Sequence, residues 1–473
     1  MPVPFAFPRC RAASLLAGGL LAVGSLAPRT AARAETLTLA QCLRETAEHN
    51  PDILEQRRAV ERALASRLTL RARALPTLTA GGTLGALNQE ENVKEGSVQT
   101  KTDFIALATG SLYQPLFDAA VPASYRRGTL GVLAAEQNFY SVASTQLHAA
   151  RLGFYRALYQ QQNGEILRQT DAVFAGNVQS QSQLVTAGLE GRAALLSAQV
   201  QRANVGPELL AAAGTYRTGL ASLLQTMGRA LPRTRGNDDP LARIVLGGSL
   251  DETARGFDAA DALRVALERR PDLRSLRAMV KMNQEDANIA RAGYYPLVRL
   301  YLAGELIPES NVRNRPNAIR QSDQQQTTEL RPGITGSWNV IDTGGTRGAV
   351  RAQEAARDTV QISLKRLETN LPSELATVRA RLTDASGRLD ALRGNVDAAQ
   401  NTLNIIQGGV AQGLNTQTEF YYAQNDLLAI RTGLLAARLE MSLAHAELDR
   451  LTGNYLRYVE PDPAPAARRP ATK

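Results

Sequence analysis

The feature that most constrains this chain is an internal repeat. A glycine turn between two helical patterns occurs at Gly188 and again at Gly413, and each glycine is followed at the same distance by Ala-Gln, at Ala198-Gln199 and Ala423-Gln424. Other landmarks recur in the same order and at nearly the same separation, namely Asn50-Pro51-Asp52 with Arg270-Pro271-Asp272, Leu75-Pro76 with Tyr295-Pro296, and Met227-Gly228 with Thr452-Gly453. Such self-similarity indicates one structural unit present twice. The sequence therefore predicts a first repeat at 35–228, a linker at 229–255 and a second repeat at 256–455.

Both ends of the chain are predicted to lie outside the repeats. Residues 1–34 contain arginines, an apolar run at 12–27 that is short for a membrane span, and small residues before Glu35, a pattern typical of a cleaved signal peptide. Residues 456–473, rich in Pro, Ala and Arg, are predicted to be disordered.

The composition excludes several classes of protein. No other run of 18 or more apolar residues occurs, so no membrane-spanning helix is expected. Removing 1–34 takes four arginines and no acidic residue, which lowers the net charge from +9 to +5 and argues against a nucleic-acid partner. The chain has two cysteines, Cys10 and Cys42, of which one remains, so no intrachain disulfide can form.

Helical patterns dominate each repeat, and the helices are unusually long. The apolar residues from Leu427 to Leu451 recur in alternating steps of three and four, the 3.5-residue period of supercoiled helices. In each repeat the second and fourth helices together match the third in length, which predicts two helices stacked end to end beside one rod about 90–100 Å long. Pro207 and Pro372 lie inside predicted helices and are expected to kink or break them. The predicted helices are 39–49, 52–75, 124–184 and 189–227, then 259–269, 272–295, 346–410 and 414–452.

Each repeat also contains two strand-like runs between its second and third helices. Their lengths are close to the roughly 9–11 residues that a tilted strand needs to cross a bilayer. The polar segments Asn88–Thr102 and Ile307–Gln326 are predicted to be loops that connect them. The predicted strands are Thr77–Leu87, Asp103–Tyr113, Leu297–Leu306 and Thr327–Asn339.

Alternation along the second-repeat strands predicts two chemically different faces. All four charged residues have the same parity, whereas Leu300, Leu302, Leu306, Leu330 and Ile334 have the other. An arginine facing lipid at mid-membrane costs about 2–4 kcal/mol, so the charged face is predicted to line a wet lumen. The alternation in the first-repeat strands is weaker. The predicted lumen residues are Arg299, Glu305, Glu329 and Arg331, and the predicted membrane-interface aromatics are Tyr113, Tyr294, Tyr295 and Trp338.

Four strands leave two open edges, which hydrocarbon does not tolerate. Closed barrels need about eight strands or more. Several copies must therefore share one barrel, with two copies giving 8 strands and three giving 12.

Several landmarks occur between residues 37 and 455, namely Leu37-Thr-Leu-Ala-Gln, the two Pro-Asp landmarks, Ala74-Leu-Pro76, Pro115-Leu-Phe-Asp118, Val340-Ile-Asp342-Thr-Gly-Gly345 and the two glycine turns. In this set the chain resembles the TolC-like outer membrane efflux protein family. The resemblance implies a mainly α fold with β, in which long coiled helices form an α-helical periplasmic tunnel and each chain adds four strands to a trimeric 12-stranded transmembrane β-barrel.

The resemblance also implies a function. The homotrimer is expected to be the outer membrane exit channel of a tripartite efflux pump or a type I secretion system, working with a periplasmic adaptor and an inner-membrane transporter. The Gly188 and Gly413 turns are expected to form the periplasmic mouth, and Glu419 fits one position at which family members carry an acidic ring. Three positions further on, this chain has Tyr422 rather than an acid. The alternative is a periplasmic coiled-coil adaptor or scaffold protein.

An enzyme is not expected from these residues. Asp342-Thr343-Gly344 has the sequence of an aspartic-protease loop, but it occurs once and leads from a strand directly into a helix. His49, His148 and His445 are isolated, with no partner at metal-ligand spacing. We therefore expect no catalytic residue, cofactor or metal.

Overall fold

The structure, a computed structural model, describes residues 35–93, 97–231, 240–251, 253, 255–311 and 323–459, without the side chains of 87–105, 240 and 307–327. The predicted signal peptide and the end of the predicted tail, 460–473, lie outside these residues.

Each repeat follows the same order of elements, helix, helix, strand, strand, long helix, helix. The first comprises β1 (Glu35–Thr38), α1 (Leu39–His49), α2 (Pro51–Ala72), β2 (Thr77–Val93), β3 (Ser97–Phe117), α3 (Val121–Thr186) and α4 (Arg192–Thr226). After β4 (Ile244–Gly247), the second comprises α5 (Ala259–Arg269), α6 (Pro271–Arg291), β5 (Leu297–Asn311), β6 (Asp323–Ser337), α7 (Gly345–Ala411) and α8 (Gln417–Leu451). The predicted combination of long helices and four longer strands in two repeats is confirmed.

Local chemistry fixes where several helices begin. The Thr38 hydroxyl accepts from Gln41 N while the Gln41 side chain accepts from Thr38 N, which caps α1 reciprocally. Asn50 caps α2 by accepting from Ile53 N at 3.1 Å, and Pro51 occupies the first turn, where its missing N–H costs nothing.

The helices pack side by side, and the shorter ones stack end to end as expected. Near the sheet, α2, α3, α6 and α7 lie in that order; at the other end the order is α4, α3, α8 and α7. Asn50 Nδ2, at the start of α2, donates to Thr226 O, at the end of α4, at 2.7 Å. This bond joins the two shorter helices of the first repeat alongside α3.

The prolines do not break the helices that contain them. Pro207 lies inside α4, and Pro372 lies inside α7, which continues for 67 residues. The prediction of a break at either residue is wrong, because packing of these helices against their neighbours outweighs the loss of one backbone hydrogen bond.

The apolar stripes predicted from the sequence form the helical core. Phe154 and Leu158 of α3 pack with Leu220 and Leu223 of α4, and all four are at most 1% exposed. Met441 of α8 packs in a second cluster with residues of α5, α6 and α7. The cores therefore run along the helices, as a supercoiled arrangement requires.

The predicted linker is partly a strand. Its residues Ile244–Gly247 form β4, which pairs in parallel with β1, so that Leu37 lies opposite Leu246. Both leucines are buried. The predicted disordered tail also begins too early, because Asn454–Tyr458 form a 3-10 helix with Tyr455 1% exposed.

The four longer strands form one antiparallel sheet in the order β2-β3-β5-β6. The strands extend further than the alternation predicted, because pairing continues out to Val93 with Ser97 and Asn311 with Asp323. Much of each predicted loop, Asn88–Thr102 and Ile307–Gln326, is therefore strand. The polar composition of these segments led to the prediction of loops, but a strand can continue through polar residues as long as its backbone is paired.

Candidate functional site

The register gives the sheet one continuous apolar face. Residues directly opposite each other on neighbouring strands share a face. The register therefore determines which residues of all four strands lie on the same face of the sheet. In the described side chains the apolar face carries Leu78, Ala80, Leu84, Ala106, Leu112, Leu300, Leu302, Leu306, Leu330, Pro332 and Ile334. Leu84, Leu330 and Ile334 are 67% or more exposed. No element of the described chain covers this face.

The four predicted lumen residues share the opposite, polar face. Arg331 Nη2 lies 2.6 Å from Glu305 Oε2 and 3.4 Å from Glu329 Oε2. Glu305 and Glu329 are directly opposite each other on β5 and β6, so Arg331 offsets the repulsion between two facing carboxylates. Arg299 lies on the same face but joins none of these pairs.

The sheet places the four aromatic residues in two different environments. Tyr294, Tyr295 and Trp338 lie at the helix-proximal end and are 49% to 57% exposed, and Trp338 Nε1 donates to Tyr294 O at 3.1 Å. Tyr113 is different, because it lies opposite Tyr301 on the polar face, with the ring centroids 6.5 Å apart. Its ring therefore shares the face of the charged residues, as the parity of β3 already indicated.

The Asp-Thr-Gly sequence begins a helix. Asp342 Oδ1 accepts from Gly344 N at 3.0 Å and Oδ2 from Thr346 N at 2.7 Å, so the carboxylate caps the start of α7. Hydrogen bonds from Thr346, first from its side chain and then from its backbone, lower the pKa of the Asp342 carboxyl. Asp118 does the same for α3 by accepting from Ala120 N at 2.8 Å. Both repeats thus use an aspartate where a strand leads into a long helix.

The two glycine turns have nearly identical backbones. Gly188 has φ +74° and Gly413 has φ +73°, conformations that favour glycine. In both, the next residue donates its N–H back to the helix that ends there, Leu189 N to Leu184 O at 2.9 Å and Leu414 N to Gly409 O at 2.8 Å. Leu189 and Leu414 are 74% and 76% exposed, so each turn carries a solvent-exposed leucine at the free end of a helical hairpin.

Glu419 has a structural role at this end of the molecule. Its Oε2 accepts from Thr416 N at 2.8 Å while Glu419 N donates to the Thr416 hydroxyl at 3.2 Å, a reciprocal cap for α8. The hydrogen bond from the Thr416 backbone, and then that from Asn415, lower the pKa of the Glu419 carboxyl, which is therefore ionised. It is exposed, and Tyr422, one turn further on, is 68% exposed.

A buried polar cluster lies where α3, α8 and the C-terminal 3-10 helix meet, and sequence reasoning missed it. Arg151 Nη1 lies 2.5 Å from Asp449 Oδ2, and the two residues are 5% and 7% exposed. Beside them His148 Nε2 lies 3.1 Å from Glu447 Oε2. Burial raises the pKa of Glu447, but hydrogen bonds from His148 and Arg450 outweigh it and lower that pKa to about 2. The partners come from opposite repeats of the chain, so they form no recognisable sequence motif.

The third histidine holds the linker against α8. His445 is 1% exposed, its Nδ1 lies 2.9 Å from Asp251 Oδ2, and its Nε2 accepts from Arg255 N at 3.0 Å. Since Nε2 accepts from Arg255 N, Nδ1 is the ring nitrogen that donates to Asp251. All three histidines thus lie apart from the sheet face and the turns.

Within the described ranges, no group of three or more His, Cys, Asp or Glu side chains is arranged to hold a metal ion. None of the helices in these ranges is long and apolar enough to cross a membrane.

Comparisons with known proteins find similarity to outer membrane proteins. Residues 262–454 match the family of outer membrane efflux proteins. Among solved structures, the outer membrane protein VceC from Vibrio cholerae superposes with a TM-score of 0.69 at 16% identity, covering 88% of this chain and 96% of that one. The Campylobacter jejuni CmeC outer membrane channel gives 0.69 at 13% identity, covering 88% and 85%. The open state of the Neisseria gonorrhoeae MtrE outer membrane channel gives 0.64 at 16% identity, covering 92% and 93%. The search of curated proteins gave no match.

Proposed function

We propose that this chain is an outer membrane efflux protein, the family that its residues 262–454 match, and that three copies form a passive exit channel through the outer membrane and the periplasm. Twelve strands close one barrel in the membrane, and the helices of the three chains continue it as a periplasmic tunnel.

One observation carries this proposal, the four-stranded sheet with an uncovered apolar face. Within the described residues β2 and β6 each pair on one side only, so the sheet has two free edges. Free edges and an exposed apolar face are both unfavourable in a single chain in water. Pairing β6 of one copy with β2 of the next removes the edges and keeps the alternation antiparallel, and lipid covers the apolar face.

The two faces then have separate roles. The polar face, with Arg299, Glu305, Glu329 and Arg331, lines the lumen, where water solvates the charges. Tyr294, Tyr295 and Trp338 lie at the level where the strands meet the helices, which suits amphipathic rings at a membrane interface. The helices leave the barrel at this interface, and the match to outer membrane efflux proteins assigns that side to the periplasm.

The glycine turns form the periplasmic mouth. Leu189 and Leu414 are solvent-exposed at the ends of the two hairpins. Such exposed leucines suit a docking surface for the helices of a periplasmic adaptor. As in the family that the chain resembles, an inner-membrane transporter supplies energy through that adaptor. Glu419 repeats three times around the mouth, where like charges attract cations.

A pair of arginine substitutions tests the assignment of the faces. Leu330→Arg places a charge on the lipid side and should cost about 2–4 kcal/mol near the middle of the bilayer. Thr109→Arg lies on the polar face at nearly the same depth and opposite Glu305, so it should cost little. The measurement is the amount of heat-modifiable trimer in the outer membrane. Equal yields from the two variants would contradict the proposal.

Fractionation separates the exit channel from the alternative, a periplasmic adaptor. Recovery of the folded protein in the outer membrane, after removal of residues 1–34, supports the channel. Recovery as a soluble periplasmic protein refutes it.

A further inference from the structure

Among the side chains that the structure describes, the polar face of the sheet carries one arginine that no acidic residue offsets. Arg331 lies within 3.4 Å of both Glu329 and Glu305. Arg299 is exposed, and among the residues that the structure describes it forms no ion pair. An arginine side chain stays charged at any pH that proteins experience. In each chain Arg299 therefore places on this face a permanent positive charge that has no acidic partner among the described residues.

The residues around Arg299 explain why it is unpaired. Arg299 lies opposite Pro115 on β3 and opposite Thr335 on β6. The next row of the same face consists of Tyr113, Tyr301 and Gly333. The Tyr301 ring covers Gly333, since a Cβ added there would lie 2.7 Å from the ring. None of these neighbours is acidic.

Assembly does not supply a partner from the next chain along the sheet. β5 is an inner strand, flanked on both sides by β3 and β6 of its own chain. Copies that join through the free edges of β2 and β6 therefore leave the lateral neighbours of Arg299 unchanged.

The acidic residues of the face are also too far away to cancel the charge. Glu305 is six residues further along β5, a separation of about 20 Å at about 3.3 Å per residue. The Debye length at physiological ionic strength is about 8 Å. The fields of Arg299 and of the Glu305–Arg331–Glu329 group are thus largely independent.

From this geometry we propose that Arg299 forms an anion-attracting belt at the helix-proximal end of the barrel. The inference rests on the proposed function, because three copies around one axis bring three such charges to one level of the lumen. The ligand class is anions, including carboxylates, phosphates and sulfonates, which the belt concentrates, while it repels cations. The channel therefore discriminates by charge at Arg299, at the opposite end of the helices from Glu419.

A cysteine opposite Arg299 measures the local potential directly. Thr335→Cys is a small change at an exposed position, and opposite residues have Cβ atoms about 4.5–5.5 Å apart. The natural thiol at Cys42 is 0% exposed, and burial raises its pKa to about 12, so it contributes little background. The reagents are a sulfonate-bearing and a trimethylammonium-bearing methanethiosulfonate, applied to the purified trimer in detergent. The readout is the ratio of their rate constants, anionic over cationic.

In the Thr335→Cys protein, Arg299→Gln should lower this ratio about threefold at roughly 0.15 M salt. Arg299→Lys should preserve it, because the charge remains. In the protein with native Arg299, raising the salt to about 1 M, where the Debye length is about 3 Å, should lower the ratio toward that of Arg299→Gln. A ratio that changes neither with Arg299→Gln nor with salt overturns the proposal.

A matched cysteine on the other face keeps the two proposals separate. Ile334→Cys lies one residue away on β6, on the apolar face, where detergent or lipid should block both reagents. If Ile334→Cys reacts as fast as Thr335→Cys, the proposed function fails together with the belt. If only Thr335→Cys reacts and its ratio of rate constants does not depend on Arg299, the proposed barrel is supported and only the anion-attracting belt is refuted.

Discussion

Replacing Gly228 with alanine tests whether the end-to-end junction of α4 with α1 and α2 holds the first repeat together. Gly228 follows α4 with φ +74°. A Cβ at this position would lie 2.1 Å from His49 O and 2.7 Å from His49 C, both backbone atoms at the end of α1. The alanine can be accommodated only if the two chain segments move apart, which strains the bond from Asn50 Nδ2 to Thr226 O.

The size of the effect follows from two contributions. A left-handed conformation costs a residue with a Cβ about 1–2 kcal/mol. Overpacking a closely packed site costs about 1–3 kcal/mol more. Gly228→Ala should therefore destabilise the protein by about 2–5 kcal/mol.

The repeat supplies matched controls for this substitution. Gly188 has the same φ of +74°, but nothing lies within 4 Å of an added Cβ, so Gly188→Ala should show only the backbone cost. Gly453, the counterpart of Gly228, has φ +74°, and an added Cβ would lie 3.4 Å from Arg269 O, which places Gly453→Ala between the two.

Thermal unfolding followed by far-ultraviolet circular dichroism ranks the three variants. Gly228→Ala should unfold at the lowest temperature and Gly188→Ala at the highest. If Gly228→Ala and Gly188→Ala unfold together, the junction is not a tight contact in solution and the reasoning fails.

Three further predictions concern charged groups. Arg151→Met removes the nearest cation from the buried Asp449 carboxylate and leaves it the hydrogen bond from Asn454 and the more distant Arg255, so it should lower the free energy of unfolding by up to about 3–5 kcal/mol. Adding Asp449→Asn should restore part of the loss, and no restoration would show that the pair is not coupled. The pKa of Glu447 is about 2 in the fold and 4.5 ordinarily, so its contribution to the free energy of unfolding is complete above pH 4.5 and is lost as the pH falls toward 2. Glu447→Gln should therefore flatten the fall in melting temperature over that pH range. An unchanged profile would contradict the assignment. Glu419→Gln retains an acceptor for the α8 cap but removes the charge, so it should reduce the cation preference of single-channel currents, whereas an unaltered preference limits Glu419 to capping.

Much of the architecture is determined by the sequence alone. The repeat, the eight longer helices and the existence of the four sheet strands follow from periodicity, because burying one face of a helix or a strand imposes a characteristic spacing of apolar residues wherever the element lies. The parity of Arg299, Glu305, Glu329 and Arg331 likewise assigns one face without any coordinates. These properties are local, so neighbouring residues suffice to reveal them.

Only the tertiary structure decided which distant groups meet. The pairing of β4 with β1, the Arg151–Asp449 contact and the position of Tyr113 opposite Tyr301 depend on how separate elements cross, which no spacing along the chain encodes. The same holds for Arg299, whose isolation became visible only when the strand register placed Pro115 and Thr335 beside it. Sequence reveals which residues are charged, but the fold determines whether each charge has a partner.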